Sequence, residues 1–483
     1  MSSANGIVAY AGYVPRYRVQ REEMAAGLGA QSGPGARVVA GCDEDSTTMG
    51  VEAAAALLAT LPEGDRAPAG GLYLATTSPA YADKANAAAV HAALDLPSSA
   101  FAADVAGSAR SGMAAWRAAA ADGGMAVMSD VRRGLPGSGD ERTGGDGAAA
   151  FLFGDADHAV AEIVAQVSET AEILDRWRAP GGVAAGQWEE RFGVEAYQPL
   201  AERAVRAVTD AAGGVAPDHA VVVSPNPGVA KRVRRLAAGA VSTTGSPVGH
   251  AGAADVGLGV ADALDRAQPG DTILVLSVAD GCDALMLRVT DRIAAARQPH
   301  PVADQLTCGI DVPYPTYLAW RGLLEREPPR RPEPDRPAGP PSARGARWKF
   351  AFTGARCLQC GFVHLPPQRV CKGCRAVDDM VPCPLARSAG TVATYTVDHL
   401  AFSPSPPLIE AVIDFDGGGR YTLEVADAAP ETITVGTRVT LTFRMLYTSH
   451  GVHNYFWKAR VADTQEPGYR QATPDAKRGA DHG

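Results

Sequence analysis

The run CLQCGFVHLPPQRVCKGC places Cys357, Cys360, Cys371 and Cys374 in two C-x-x-C pairs with ten residues between them. Four thiolates so spaced can close a tetrahedral zinc site. With every position taken by protein no place is left for a reactive water. The zinc expected here is therefore structural, contributing folding free energy on the order of 10 kcal/mol. Cys383, His364 and Cys308 are left over, and none is expected to ligate. A second reactive stretch is VGHAGAAD, residues 248–255. A histidine beside glycine just before a helix lies close to backbone N–H groups and titrates near neutrality, so His250 is a candidate acid–base group. VADGCDAL, residues 278–285, adds Asp280 or Asp283 to orient it or act as base, with Gly281 letting backbone approach the site. Turn and capping chemistry is the competing use of an aspartate beside glycine. Tyr81, Asp83 and Lys84 in SPAYADK offer a phenol, a carboxylate and an amine on one loop, with a plain solvated loop as the alternative.

Such residues need a scaffold, and 483 residues suffice for two or three domains. Residues 1–295 alternate short apolar runs with Ala-rich helical stretches, the mark of a layered α/β domain. Within it three segments recur in the same order. GGLYLATTSPAY (70–81) matches DHAVVVSPNPGV (218–229), and residues 109–130 match 249–277 as turn, helix and buried strand. DGAAAFLF (146–153) matches DGCDALML (280–287), so two similar βα halves are expected back to back. Residues 296–345, with the Pro- and Arg-rich EREPPRRPEPDRPAGPPSARGAR, are expected to form a connector that holds neither helix nor sheet. A ribbon around the cysteines (346–386) and a barrel of short strands (387–463) follow, and the polar tail 464–483 is expected to be disordered.

The first region resembles the thiolase superfamily, in its 3-hydroxy-3-methylglutaryl-CoA synthase branch. The residues that carry the likeness are VVAGCDEDSTTMGVEAAAALL (38–58), GDGAAAFLFGD (145–155) and WEERFGVEAYQPLAERA (188–204). The resemblance implies an α/β, five-layered, duplicated fold, a homodimer, and acyl-CoA or acyl-carrier-protein substrates. It also implies a cysteine nucleophile at the head of a buried helix, and the matching stretch SARSGMAA puts Ala109 there. A methyl group forms no thioester, so the acyl-enzyme route is closed at this position. The glutamate of the branch falls on Thr77 in TTS, and its histidine falls on Ser224 in SPNP. Ser108 adjoins Ala109 but has no recognised base. VGHAGAAD is similar to the glycine–histidine turn of thiolases, whose histidine polarises a thioester oxygen or moves protons.

The block 346–463 resembles the OB-fold family with an N-terminal rubredoxin-like ribbon that accompanies thiolase-like enzymes. GTVATYTV (390–397), SPSPPLIEAVIDFDGGG (403–419) and ITVGTRVTLTF (433–443) carry this likeness beside the cysteines. The basic residues Arg344, Arg347, Arg369 and Lys372 would then meet the phosphates of coenzyme A, with solvated charge as the alternative. In related systems such a partner stands beside an enzyme that makes or cleaves C–C bonds on acyl-CoA, one of them a steroid side-chain aldolase that does not rely on the usual cysteine.

A net charge of −9 speaks against nucleic acid as partner, despite the ribbon's local basic face. No apolar run is long enough to span a membrane, and the first twenty residues lack the charged and apolar regions of a secretion signal. Clustered cysteines of this kind point to a reducing cytoplasm. The expected activity is aldol, retro-aldol or Claisen chemistry on a thioester without an acyl-enzyme. His250 would serve as donor or base, Asp280 or Tyr81 as helper, and Ala109, Ser108, Thr77, Ser224 and Gly281 would line the substrate site. A catalytically silent acyl-CoA-binding partner of another enzyme is the second reading, and a zinc-ribbon nucleic-acid binder the third.

Overall fold

The computed structural model describes residues 6–31, 33–62, 64, 66–237, 240 and 242–462, so the expected tail 464–483 lies outside it. The chain forms two units. The first comprises Met1–Phe352, Leu400–Pro406 and Phe443–Trp457; the second comprises Thr353–His399, Pro407–Thr442 and Lys458–Gly483.

The first unit is built on ten strands: β1 (Gly6–Tyr13), β2 (Leu72–Thr76), β3 (Ala102–Ala106), β4 (Met125–Asp130), β5 (Gly147–Gly154), β6 (Ala161–Thr170), β7 (His219–Val223), β8 (Ser242–Thr244), β9 (Thr272–Ser277) and β10 (Gly281–Val289). Their order across the sheet is β8-β7-β9-β10-β6-β1-β5-β4-β2-β3. Each half therefore repeats the other with a shift of five strands. The parallel pairs β2·β3 and β2·β4 are echoed by β7·β8 and β7·β9, and the antiparallel pair β4·β5 by β9·β10. All three recurrences read from the sequence fall on equivalent elements of the two halves. Among the described residues the halves join at β1·β6 through two residue pairs, Gly6 with Glu162 and Ile7 with Ala161.

Four helices complete the layers: α1 (Ser46–Ala59), α2 (Ser111–Asp122), α3 (Glu190–Ala211) and α4 (Asp255–Arg266). Helix α1 covers β1, β4 and β5 from outside, α3 covers β6 and β10, and α2 and α4 lie between the half-sheets. Apolar residues at helical spacing explain this placement. Trp116 of α2 is fully buried against Phe151 and Phe153, in one core with Val256, Val260 and Leu264 of α4. Helix α2 ends on Gly123, whose φ of 71° gives the left-handed cap an Ala-rich helix needs to stop. Among the described residues no helix is long and apolar enough to cross a membrane.

The presumed connector differs from expectation. Residues 302–321 hold α5 (Val302–Thr307) and α6 (Tyr314–Trp320), and Ile310–Asp311 pair with Tyr17 and Arg18. The prolines here initiate helices instead of breaking them: Pro301 precedes α5, and Pro313 and Pro315 open α6. Arg321 then donates from Nη2 to Asp146 Oδ2 at 2.5 Å and to the Ala40 carbonyl at 2.9 Å, both partners being buried. Even the Pro-rich run contains a short helix, α7 (Gly339–Arg344), because its prolines sit in the first turn.

In the second unit β11 (Thr353–Cys357), β12 (Val363–His364) and β13 (Met380–Pro384) form a three-stranded ribbon. Strands β14 (Gly390–Asp398), β15 (Leu408–Phe415), β16 (Arg420–Glu424), β17 (Arg438–Ser449) and β18 (Val452–Val461) form a sheet in the order β16-β15-β14-β17-β18. The far ends of β17 and β18, with the turn between them, count with the first unit.

Candidate active site and zinc ribbon

The heads of α2 and α4 meet where glycine allows it. A Cβ on Gly112 would stand 2.3 Å from the Ala253 carbonyl oxygen. Beside this junction lies a small cleft whose lining includes Ala109, Ser224, Gly252, Asp255, Ser277 and Ala279. Ala109 and Ser224, far apart in the chain, thus share one site. The turn before α2 spends its own donors. The N–H groups of Ser111 and Gly112 donate to the Ser108 and Ala109 carbonyls at 3.0 and 3.3 Å, and Arg110 N–H donates to Ser108 Oγ at 3.3 Å. The donors expected at this helix start are therefore engaged, and the Ser108 hydroxyl caps its own turn.

His250 is held on three sides. Its N–H donates to the Thr143 carbonyl at 2.8 Å, its carbonyl accepts from Gly145 N–H at 3.1 Å, and its Nδ1 lies 2.6 Å from Asp255 Oδ2. Asp255 also accepts from Ala251 N–H at 2.5 Å and opens α4, where the helix dipole favours its charge. A carboxylate only accepts, so the imidazole proton sits on Nδ1 and the Nε2 lone pair is left as the basic atom. The histidine side chain is 10% exposed, and Nε2 has no hydrogen-bond partner among the described residues. Asp255 is the residue the sequence reading missed; its signal was a carboxylate five positions on, at the first position of the following helix.

Neither aspartate of VADGCDAL orients His250. Asp283 is paired to Arg110, Oδ2 to Nε at 2.8 Å. Asp280 adopts φ of 50°, its carbonyl accepting from Arg110 Nη1 at 2.7 Å and its N–H donating to Tyr197 Oη at 3.2 Å. Gly281 follows at φ of 130°, and a Cβ there would collide with the Glu169 carbonyl at 2.1 Å. Cys282 lies in this strand, and burial pushes its thiol up to about 12, so it supplies no thiolate near neutrality.

Thr77 sits at the centre of a buried polar network. Its hydroxyl donates to Asp130 Oδ2 at 3.0 Å and accepts from Arg132 Nη1 at 2.7 Å. Asp130, fully buried, also accepts from Thr76 Oγ1 at 3.0 Å, Thr77 N–H at 2.8 Å, Ser78 Oγ at 2.7 Å and Ala253 N–H at 2.6 Å. It ties the loop after β2 to the turn before α4. Gly252 passes close by, with φ of 59° and a hypothetical Cβ only 2.2 Å from Asp130 Oδ2. Arg178 donates to the Thr77 carbonyl. Arg176 pairs with Asp140 at 2.6 Å. Burial pushes the Asp140 carboxyl up, but the Arg176 contact wins and holds it below its ordinary value.

Tyr81 is not among the residues that line the cleft. Its oxygen accepts from His453 N–H at 2.8 Å, and the two rings lie 5.0 Å apart. The acidic stretch of residues 43–45 is likewise engaged. Glu44 meets Arg444 at 2.7 Å and Tyr13 Oη at 2.5 Å, while Asp45 caps α1 and accepts from Tyr455 Oη at 2.5 Å. Burial, with Asp45 beside it, pushes the Tyr455 hydroxyl upward in pKa, so it stays protonated.

The four cysteines of the ribbon do converge, their sulfurs all lying within 4.8 Å of one another. Cys357 and Cys374 are 3.6 Å apart and Cys360 and Cys371 3.5 Å apart, close to the roughly 3.8 Å edge of a tetrahedron with 2.3 Å zinc–sulfur bonds. An all-sulfur donor set of this size fits zinc, held by these four side chains with no open position. The basic residues proposed for phosphates are divided between the units. In the first, Arg347 pairs with Asp95 at 2.8 Å and Arg344 is exposed. In the second, Arg369 pairs with Asp378 at 2.5 Å and Lys372 is exposed.

Residues 350–380 match the family model "ChsH2, rubredoxin-like zinc ribbon domain", and residues 384–444 match "ChsH2, C-terminal OB-fold domain". The hydroxymethylglutaryl-CoA synthase of Methanopyrus kandleri is 34% identical over 346 residues, covering 66% of this chain and 98% of that protein. That of Aeropyrum pernix is 31% identical, covering 67% and 95%. Among solved structures, PksG, a synthase of the same name from Bacillus subtilis, superposes with a TM-score of 0.57 at 19% identity over 66% of this chain and 88% of its own. The synthase of the curacin biosynthetic pathway in complex with a holo donor acyl carrier protein gives 0.56 at 18% identity, over 65% and 88%.

Proposed function

We propose, on the premise that this chain belongs to the hydroxymethylglutaryl-CoA synthase family, that it forms or cleaves a carbon–carbon bond in an acyl thioester without an acyl-enzyme. The thioester is carried by coenzyme A or an acyl carrier protein. One observation supports the reading: Ala109, which the resemblance puts at the branch's nucleophile, lines one cleft with Asp255, the carboxylate that holds His250 Nδ1.

In the cleavage direction His250 Nε2 takes the proton of a β-hydroxyl. The O–H electrons form the new carbonyl, the Cα–Cβ bond breaks, and its electron pair becomes the thioester enolate. The imidazolium then returns the proton to the α-carbon. In the forming direction Nε2 removes the α-proton, the enolate attacks a carbonyl carbon, and the imidazolium protonates the new alkoxide. Asp255 stabilises the imidazolium in both directions, as a carboxylate on the far nitrogen does in general acid–base catalysis. The methyl of Ala109 leaves space at the helix head and offers nothing to acylate. The four cysteines would hold zinc as a structural element of the ribbon, with no open position for a reacting group.

The test is turnover of β-hydroxyacyl-CoA esters, and of acyl-CoA with aldehydes or ketones, followed by mass spectrometry of products and of the intact protein. Products with the wild type, none with His250→Ala, and no acyl adduct on the chain are the expected results. An adduct would remove the non-covalent route. Thioester binding without any product would favour the second reading, a silent acyl-thioester-binding partner, which rests on the joint replacement at Ala109, Thr77 and Ser224.

A further inference from the structure

We propose that Ser242, His219 and Asp271 form a second reactive site in the first unit, a serine nucleophile with its base, which cleaves neutral oxygen esters. The inference stands apart from the thioester reading above and uses none of its residues.

His219 opens β7 and has a side chain on each ring nitrogen. Nε2 lies 3.0 Å from Asp271 Oδ2, and Nδ1 lies 2.8 Å from Ser242 Oγ. A carboxylate only accepts, so the imidazole proton sits on Nε2. Nδ1 keeps the lone pair that takes the hydrogen of the serine hydroxyl. Asp271 is itself fixed, its Oδ2 accepting from Gln268 N–H at 2.7 Å. The sheet makes this order of groups. Ser242 of β8 stands directly opposite His219 in the parallel ladder, and Asp271 ends the turn into β9, on the other side of β7. The histidine side chain is 17% exposed and the aspartate 26%, and Ser242 is half-buried, so a small ester can reach the hydroxyl. The far ends of β7 and β9, Val223 and Ser277, line the cleft beside Ala109. The length of these strands sets the two sites about 13 Å apart.

A nucleophile, a base on its hydroxyl and a carboxylate on the base are three parts of serine catalysis. The fourth, a donor for the oxyanion, comes from the strand. β8 is the outer strand of the sheet among the described residues. Ser242 N–H donates to the Asp218 carbonyl at 3.3 Å, so the alternation of the ladder turns the N–H of Thr243 away from β7. The N–H after a nucleophile is a recurrent oxyanion donor. Ser242 Oγ attacks the ester carbonyl carbon while its proton passes to His219 Nδ1. The C–O bond then breaks, and Nδ1 gives that proton to the departing alkoxide. Water, deprotonated by Nδ1, releases the acid from the acyl-serine and Ser242 recovers its proton. Asp271 positions His219 and stabilises the imidazolium. Asp218, bound to Thr272 N–H at 2.8 Å, adds a second carboxylate beside Asp271. Two carboxylates disfavour the phosphates of coenzyme A, which is why the substrate class is a neutral ester.

The full zinc-loaded chain is treated with a fluorophosphonate and digested, and the labelled peptide is identified by mass spectrometry. Hydrolysis of p-nitrophenyl acetate is followed in parallel. The label is expected on Ser242. Ser242→Ala should lower hydrolysis at least about a hundredfold with its denaturation midpoint unchanged. Asp271→Asn should lower kcat at constant KM, which a tie between strands would not do. Absence of label on Ser242 overturns the proposal without needing a variant to fold. So does hydrolysis that survives Ser242→Ala, or hydrolysis lost with His250→Ala, which would place it in the cleft. Turnover of acyl-CoA esters is scored separately, so failure of the thioester reading leaves this result standing, and the reverse.

Discussion

His250 and Asp255 form the pair on which the chemistry rests, at 2.6 Å. Asp255→Asn keeps the shape but offers Nδ1 an amide that can donate as well as accept, loosening the tautomer. Turnover should fall about a hundredfold or more with thioester affinity nearly unchanged, read as a drop in kcat at constant KM. A second residue-scale prediction follows from Asp140. Although burial opposes it, the Arg176 contact leaves the Asp140 carboxyl below 3.8. A depressed carboxyl contributes stability above its unfolded pKa, and that contribution disappears as pH falls through the folded value. Arg176→Ala should therefore cost about 1–2 kcal/mol at neutral pH, and the gap from wild type should close below about pH 3.8 in denaturant titrations. At this scale the sequence was legible where one motif held the whole arrangement, as for the four cysteines. It misled where partners of the same type competed locally. Asp280, Asp283 and Asp255 are all plausible partners for a histidine on paper, and only the path of α4 selects Asp255.

The elements that carry these residues were more readable, since hydrophobic periodicity and repetition act over whole segments. Residues 70–81 and 218–229 were paired by pattern alone, and both hold the parallel strand that precedes a site loop. What pattern could not show is how closely two elements approach, because the evidence is the absence of a side chain. Gly252 illustrates the point. Its φ of 59° and the 2.2 Å separation between a Cβ and Asp130 Oδ2 leave no room for even a methyl group. Gly252→Ala should lower unfolding free energy by roughly 2–4 kcal/mol and depress turnover as well, since the same turn carries His250. Equal denaturation midpoints for variant and wild type would contradict that close approach. The presumed connector failed for a related reason: proline was read as a breaker, although at a helix's first turn it is an initiator, as in α5 and α6.

At the scale of the molecule, the ribbon makes metal and folding inseparable. Cys371→Ser, or a strong chelator, should release one zinc per chain and abolish a separate thermal transition of the second unit, consistent with apparent zinc affinities of about 10 kcal/mol or more. Zinc content by mass spectrometry and a calorimetric scan together check this. The first unit, with its core between two half-sheets, should keep its own transition if the two unfold separately.

The assignment of Phe443–Trp457 to the first unit has a practical consequence. Arg444, wholly buried, balances Glu44, and Tyr455 reaches Asp45 at the start of α1. The gene therefore cannot be divided at residue 352 as though it encoded beads on a string. Produced alone, residues 1–352 would bury an uncompensated Glu44 and aggregate or lose stability, whereas co-expression with residues 353–462 should yield a complex recovered through a tag on either piece. Fusion in one polypeptide then does more than keep two domains at equal dose: it delivers, with every copy made, the last piece of the larger one's interior.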